Sequence, residues 1–437
     1  MKAQLPSSRF SGFISSQPDA NRIPSQDYLI GLRGVFVVQC FMFVFFQTFA
    51  PAAVPDSKNT EGPKSQVVLR KVIGVLLWNE SLIYSWIIFL SARTLCLPFL
   101  SNPSRQICAS QIFRRAMRIG IPVFVAFSLS AAAFSTTSTQ YISDFMQLTG
   151  NISTNVPFRM RNFLVYFNSL FDLFWLNKWY SSQAGNQAFP SGTLWIVSVL
   201  FQQSYTVFMT MITIPYTRTS WRVKAFLTFI ITAWWVQSWA WYSITGLLIA
   251  DVVLNMNFQA KSQAGFKIGN RRIPVWPLYA VLIFVGFLLQ YLFIAWRPEM
   301  RNNEHYGHTG LYTTGSMNEK VDLDQPMGRD DNYLIILGIM LLIETFDTPQ
   351  RFLRNKVLMT LGKRSFSVFL VQSIIIYSAG IKLYMHLNGN GMNHEAAAFL
   401  CFLICAPLVA LLSEAFYRAV DVPSKIIAHH TWAWMLK

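Results

Sequence analysis

Charge is what this chain has least of. Only 13% of its 437 residues are charged, about half the ~25% of a soluble domain. Together with 53% hydrophobic residues and a mean hydropathy of +0.35, this excludes an ordinary water-soluble fold. Acid is the scarcer sign, with 20 Asp and Glu against 36 Lys and Arg, a net charge of +16. The basic residues fall in short loops beside apolar runs rather than on one continuous face. They therefore point to positive-inside membrane topology and not to a nucleic-acid partner. Cysteine is sparse too: Cys40, Cys96, Cys108, Cys401 and Cys405 sit within or beside apolar runs, which excludes a disulfide framework. The histidines, His305, His308, His386, His394, His429 and His430, lie in loops or the tail without metal-ligand spacing, so no metal is expected. The sequence shows no P-loop, dinucleotide fingerprint, nucleophile elbow or internal repeat, and neither a cleavable signal peptide nor a bound cofactor is expected.

Long apolar runs are what it does have. They predict helices near 29–50, 70–98, 114–135, 191–216, 224–240, 243–258, 274–296, 331–347, 365–385 and 395–418. The expected fold is an all-α, polytopic transmembrane bundle of about ten helices (roughly 8–11), whose solvent is the lipid bilayer. Residues 1–27 read as a cytosolic tail, 28–420 as one transmembrane domain and 421–437 as a second tail. Arg105, Arg114, Arg115 and Arg118 mark one side. Under strict alternation Arg218, Arg222, Lys224, Lys261, Lys267, Arg271, Arg272, Arg351, Arg354, Lys356, Lys363 and Arg364 join them. The loops between are poorer in base or acidic, notably 297–330 with Glu299, Glu304, Glu319, Asp322, Asp324 and Asp330. Both termini are thus expected in the cytosol, in a multi-pass protein of the endoplasmic reticulum. Asn151-Ile-Ser153 is a glycosylation sequon that this topology places in the lumen. The aromatic stretch Phe171–Tyr180 reads as an interfacial or re-entrant helix, or as a headgroup belt.

One acid interrupts the hydrocarbon. Glu80 lies about ten residues into an apolar run that begins after Lys71. At ~1.5 Å per residue that depth is roughly 15 Å, near the middle of a ~30 Å slab. A carboxylate there costs at least ~2.5 kcal/mol, so an intramembrane acid is a functional candidate, with a hydrogen bond inside the bundle as the alternative. Asp251 is the second candidate, either catalytic or paired with a basic side chain. Glu344 and Glu414 fall near helix ends, where water is expected to reach them, and Asp144 and Asp172 belong to the long loop.

Five stretches in order resemble the acyltransferase 3 family of integral-membrane O-acyltransferases, in its filamentous-fungal form. They are Tyr28-Leu-Ile-Gly-Leu-Arg33-Gly34, Phe89-Leu-Ser-Ala-Arg-Thr-Leu-Cys-Leu-Pro-Phe99, Ile112-Phe-Arg114-Arg115-Ala-Met-Arg118-Ile-Gly-Ile-Pro122, Leu194-Trp195 through Ser204-Tyr205, and Gly246-Leu-Leu-Ile-Ala-Asp251. The resemblance implies that Arg33, Arg114, Arg115 and Arg118 bind an acyl-CoA co-substrate through its phosphates, a task suited to planar bidentate donors. A cytosolic positive-inside anchor is the other reading of these arginines. The family's base, a histidine near the end of the first helix, has no counterpart in Val37–Thr48, and the family's glutamate before Phe201 is Leu200 here. General-base catalysis supplies ~10²–10⁴-fold, so this departure tells against acyl transfer.

Different chemistry suits what remains. A carboxyl in an apolar setting favours its neutral form and can protonate an olefin or epoxide. Aromatic faces stabilise the resulting cation by ~0.5–2 kcal/mol each without trapping it. Trp78, Trp86, Trp195 and Tyr205 are candidate substrate contacts, with Tyr84, Trp234, Trp235, Trp239 and Trp241 as further rings, although membrane tryptophans also serve simply as interface anchors. The fungal membrane-bound terpene cyclases of ascochlorin and macrophorin type look similar in scaffold, which implies a lipophilic prenylated substrate from secondary metabolism. The expectation is therefore a protonation-initiated terpene cyclase. The alternatives are an O-acyltransferase and an inactive accessory or transport protein, the last without the inverted repeats of transporters.

Overall fold

The computed structural model describes residues 26–136, 138–176, 179–268, 271–302 and 325–437. Residues 1–25 of the expected tail, together with Glu304, His305, His308, Glu319, Asp322 and Asp324, lie outside the described residues. The described chain is an all-α bundle; its only strands are a hairpin pairing Phe266–Ile268 with Arg271–Ile273.

Among the described residues seven helical stretches are long and apolar enough to cross a membrane, or eight if the pair Asp330–Thr345 and Asp347–Leu353, bent by 100°, counts as one. This marks a multi-pass membrane protein. The ten predicted runs exceed that count because Thr219–Trp235 and Ala240–Asn255 have 17 and 16 residues, short of the ~20 a span needs. Residues 421–437, expected as a tail, instead continue the preceding helix through a π turn into Val422–Met435. That helix returns to the bundle, where Trp432 meets Phe113 at 5.9 Å.

The elements that position the site are α1 (Asp27–Phe49), α2 (Lys64–Leu69), α3 (Glu80–Leu95), α4 (Arg105–Ser135), α5 (Gln140–Thr149), α6 (Phe163–Trp175) and α7 (Trp195–Met211). Beyond them follow α8 (Thr219–Trp235), α9 (Ala240–Asn255), α10 (Trp276–Tyr291), α11 (Asp330–Thr345), α12 (Asp347–Leu353), α13 (Lys356–Lys363) and α14 (Ser365–Ile375).

Small residues let these helices touch. A Cβ at Gly31 would overlap the Leu353 carbonyl, one at Gly34 the Leu358 carbonyl, and one at Gly362 the Ile30 carbonyl. The glycines around Arg33 therefore bring α1 into backbone contact with α12 and α13, as small residues do where lipid removes the usual hydrophobic drive. The centre is aromatic: Phe36 stacks on Trp86 at 4.7 Å, and Phe43 meets Tyr84 edge-on at 6.2 Å.

Candidate functional site

Glu80 stands at a break in its helix. From α2 the chain passes through a π turn, Arg70–Gly74, to Leu77. It then leaves helical geometry at Trp78 (φ −134°, ψ 38°) and Asn79 (φ −78°, ψ 113°). Asn79 joins the two pieces: its amide nitrogen donates to the Val75 carbonyl at 3.2 Å, and its oxygen caps α3 by accepting from Leu82 N at 3.4 Å. Trp78 anchors the break through an indole bond to the Ala53 carbonyl at 2.8 Å. Glu80 is the first residue of α3, beside Trp78, whose ring lies 4.7 Å from Phe46 near the finish of α1.

Glu80 is partly accessible among buried neighbours, Trp78, Asn79 and Trp195. Trp195, Asp56 and Arg301 all lie close enough to act on its carboxyl. Asp56 and Arg301 form an ion pair with each other. Burial alone would lower the Arg301 pKa, but the Asp56 carboxylate outweighs it and the value is raised. Arg301 thus stays a fixed cation, already neutralised by Asp56. Glu80 itself makes no salt bridge among the described residues.

Rings lead inward from the carboxyl. Tyr84 meets Trp195 edge-on at 5.1 Å, Trp195 meets Trp239 at 6.0 Å, and Trp239 meets Tyr242 at 5.7 Å. The Tyr84 hydroxyl is buried near Cys40 and Thr193, without a hydrogen-bond partner among the described residues. Trp195 is held by its backbone, whose N–H donates to the Asn186 side chain at 2.9 Å. The turn before it places Ser191 at φ 65°, a left-handed conformation rare outside glycine. Such strain is found at binding and catalytic sites when the surroundings enforce it.

Of the expected aromatic contacts, only Trp195 joins Glu80. Trp78 turns away to Phe46 and Ala53, and Trp86 packs between Phe36 and Phe89. Both are core residues: Trp78 lies before the break, outside the helix that Glu80 opens, and the i+6 position of Trp86 does not share a face with Glu80. Tyr205 follows Trp195 by ten residues on α7, about 15 Å further along; it meets Phe201 at 5.1 Å beside an open groove.

Asp251 is not at this site either. Arg222 grips both its oxygens, at 2.8 and 2.9 Å, and Asn255 donates a third bond at 2.7 Å. A carboxylate so saturated is a structural ion pair. Glu344, expected where water reaches it, is buried and takes bonds from Arg93 at 2.9 Å and Tyr28 at 2.7 Å. Glu414 is bound by Arg364 and Arg418. Asp144 pairs with Gln140 on the exposed face of α5.

The sequon asparagine is also spent internally. Asn151 is 1% exposed. Its amide nitrogen donates to the Gln47 and Thr48 carbonyls at 3.0 and 2.8 Å, and its oxygen accepts from Ser153 N and Thr154 N. A glycan on that nitrogen would have to occupy the packed end of α1, so the glycosylation expectation is corrected.

The arginines gather at the opposite end. Arg33 binds Thr94, while Arg115 donates to Ser204 at 2.9 Å and Ser91 at 2.7 Å. Arg118 lies close enough to both to act on them electrostatically, and Arg114 turns back to the Ser110 carbonyl. Among the described residues none of Arg33, Arg115 and Arg118 has a carboxylate within salt-bridge distance. Ser91 and Glu80 are eleven residues apart on α3, about 16 Å. Cations and acid therefore occupy separate ends. No group of three or more His, Cys, Asp and Glu converges to hold a metal among the described residues.

Asp56, Arg301, Thr193 and Cys40 come to this site from distant parts of the chain, and the sequence pattern did not single them out. The Pro190-Ser-Gly192 turn was the one signal that this stretch bends sharply. Compared with known proteins, the chain matches no family model, no curated protein and no solved structure.

Proposed function

We propose that this is a membrane-bound terpene cyclase that starts ring closure by protonation, with Glu80 as the acid. The observation that carries the reading is the placing of Glu80, a carboxyl with no salt bridge among the described residues, beside Trp195 at the head of a run of aromatic rings. In the reaction the carboxyl O–H breaks as a C–H bond forms on a terminal olefin, or an O–H bond on an epoxide. The carbocation is drawn along the rings by cation–π attraction as C–C bonds close. It ends by losing a proton, and one proton returns to the Glu80 carboxylate, so substrate and product have the same composition. The substrate class is a prenylated, meroterpenoid-type lipophile of fungal secondary metabolism. The setting is the endoplasmic reticulum with both termini in the cytosol, the orientation that the basic loops favour.

The test is mass. Membranes containing the protein should convert a linear farnesylated phenol, or its terminal epoxide, into an isobaric cyclic product without any acyl donor.

One observation favours a second reading. The convergence of Arg33, Arg115 and Arg118, with no carboxylate within salt-bridge distance among the described residues, suits an anionic acyl donor, as in the acyltransferases that the sequence resembles. A product gaining an acyl mass only in the presence of acyl-CoA would establish it.

A further inference from the structure

Trp276 and Trp296, both exposed, close the two ends of a 21-residue apolar span. Helix rise separates them by about 30 Å, the spacing of the two headgroup layers at which such indoles settle. In this span α10 meets α11 backbone to backbone and antiparallel: a Cβ at Gly286 would press on the Asp331 carbonyl, and one at Gly338 on the Tyr279 carbonyl. Ser262 Oγ then joins the Tyr279 hydroxyl at 3.0 Å and Thr345 Oγ1 at 2.8 Å. The end of α11 therefore lies level with Trp276, at one boundary of the span. There the chain bends by 100° into α12, which runs across the span direction and along that boundary.

Two elements at this level expose apolar and basic side chains together. In the hairpin, Phe266 opposes Ile273 on one face and Lys267 opposes Arg272 on the other. In the corner made by α12 and α13, Phe352 and Val357 are 70% and 65% accessible, next to the exposed Arg351 and Lys356. Gln259 donates to Asp347 at 2.9 Å and Gln263 to the Thr345 carbonyl at 2.8 Å, which ties the segment before the hairpin to this corner. Residues 258–273 hold four Lys and Arg and no acid, and residues 346–364 hold five with Asp347 as the one acid. None of Lys267, Arg272, Arg351 and Lys356 has a carboxylate within salt-bridge distance among the described residues. Like charges directly opposite on a hairpin repel, so Lys267 and Arg272 call for a counter-charge that the described residues do not supply.

Membrane topology alone asks for such charges, but not for exposed rings beside them or for a helix laid along the boundary. We infer that the hairpin and the α12–α13 corner form a cuff in the headgroup layer that binds anionic phospholipids. Phe266, Ile273, Phe352 and Val357 enter the acyl region, while the lysines and arginines take the negative headgroups. Each cation near an anionic leaflet strengthens such attachment by roughly fivefold. Lipid binding at the cuff is independent of the reaction proposed above for Glu80.

The test is photolabelling of the full-length protein in nanodiscs of phosphatidylserine and phosphatidylcholine in equal parts. One lipid or the other carries a diazirine on its headgroup, and adducts are mapped by mass spectrometry. Phosphatidylserine should label the hairpin and the α12–α13 corner about tenfold more than phosphatidylcholine does. At ~1 M salt, where screening acts within about 3 Å, that ratio should shrink several-fold. Lys267→Gln with Arg272→Gln should bring the hairpin's ratio close to unity and leave that of the corner high. Arg351→Gln with Lys356→Gln should do the reverse, and either pair serves if the other melts early. Equal labelling by the two lipids means that the charges serve topology alone and overturns the proposal. So does a ratio unchanged in a folded variant, or the absence of adducts on both elements, as when a protein partner covers them.

Discussion

Arg93 and Glu344 provide a quantitative test of how the bundle is held. The guanidinium is fully buried, the carboxyl is 2% exposed, and they meet at 2.9 Å between α3 and α11. Tyr28 on α1 gives Glu344 a second bond at 2.7 Å, and Gln26 accepts from Arg93 at 3.1 Å. Replacing Glu344 with Leu strands the guanidinium in a dry interior, a loss of about 3–5 kcal/mol. Arg93→Met strands the carboxylate at a similar cost. Removing both ions together leaves no buried charge, and such replacements are often neutral or stabilising. The Tyr28 hydroxyl then lacks its acceptor, about 1–3 kcal/mol, and the half-buried Gln26 oxygen lacks its donor. The double variant should therefore lie within about 2 kcal/mol of native, far from the sum of the singles. The assay is thermal unfolding in detergent, read by a thiol-reactive fluorophore, because all five cysteines are free and buried until the chain opens. Each single should fall by roughly 5–10 °C, at the ~2 °C per kcal/mol of a large domain. Singles within ~2 °C of native, or a double as damaged as their sum, would refute the reasoning.

Other expectations follow from the same geometry. Gly34→Ala drives a methyl into the Leu358 carbonyl and should lower the same melting midpoint, with a cost of about 1–3 kcal/mol for overpacking. Asn151 should carry no glycan, so glycosidase treatment should leave electrophoretic mobility at this position unchanged. Asn151→Ala should still destabilise by about 1–3 kcal/mol through the orphaned Gln47 and Thr48 carbonyls. Tyr141 is pushed up by burial from 10.0 to about 12, and it donates to the Tyr377 carbonyl at 3.1 Å. Its contribution is present in full below pH 10 and disappears as pH rises toward 12, because ionisation is easier in the unfolded chain. Between pH 9 and 11 the native protein should lose more thermal stability than Tyr141→Phe.

Much of the fold was readable because long apolar runs can do little but cross a bilayer as helices. Glu80 was legible for the same reason, since an acid in such a run stands out. The break before it was not, because the turn at Trp78 and Asn79 depends on one side chain bridging two helical pieces, while local hydropathy continues straight through it. The neighbour of Asp251 is 29 positions away and that of Glu344 is 251 away, so their neutralisation is a tertiary fact. Asn151 misled because a sequon records three residues and not where the amide points. Trp195 was singled out with other tryptophans for its ring, whereas its place beside the Glu80 carboxyl is what sets it apart.

The most direct measurement is the cyclisation rate of Glu80→Gln in membranes supplied with a linear farnesylated phenol epoxide and no acyl donor, with its melting midpoint checked alongside. Glutamine keeps the size and the Trp195 contact but has no acidic proton to give. The account predicts a fall of about 10²–10⁴-fold in a protein that melts normally. Turnover within a few-fold of native would contradict it.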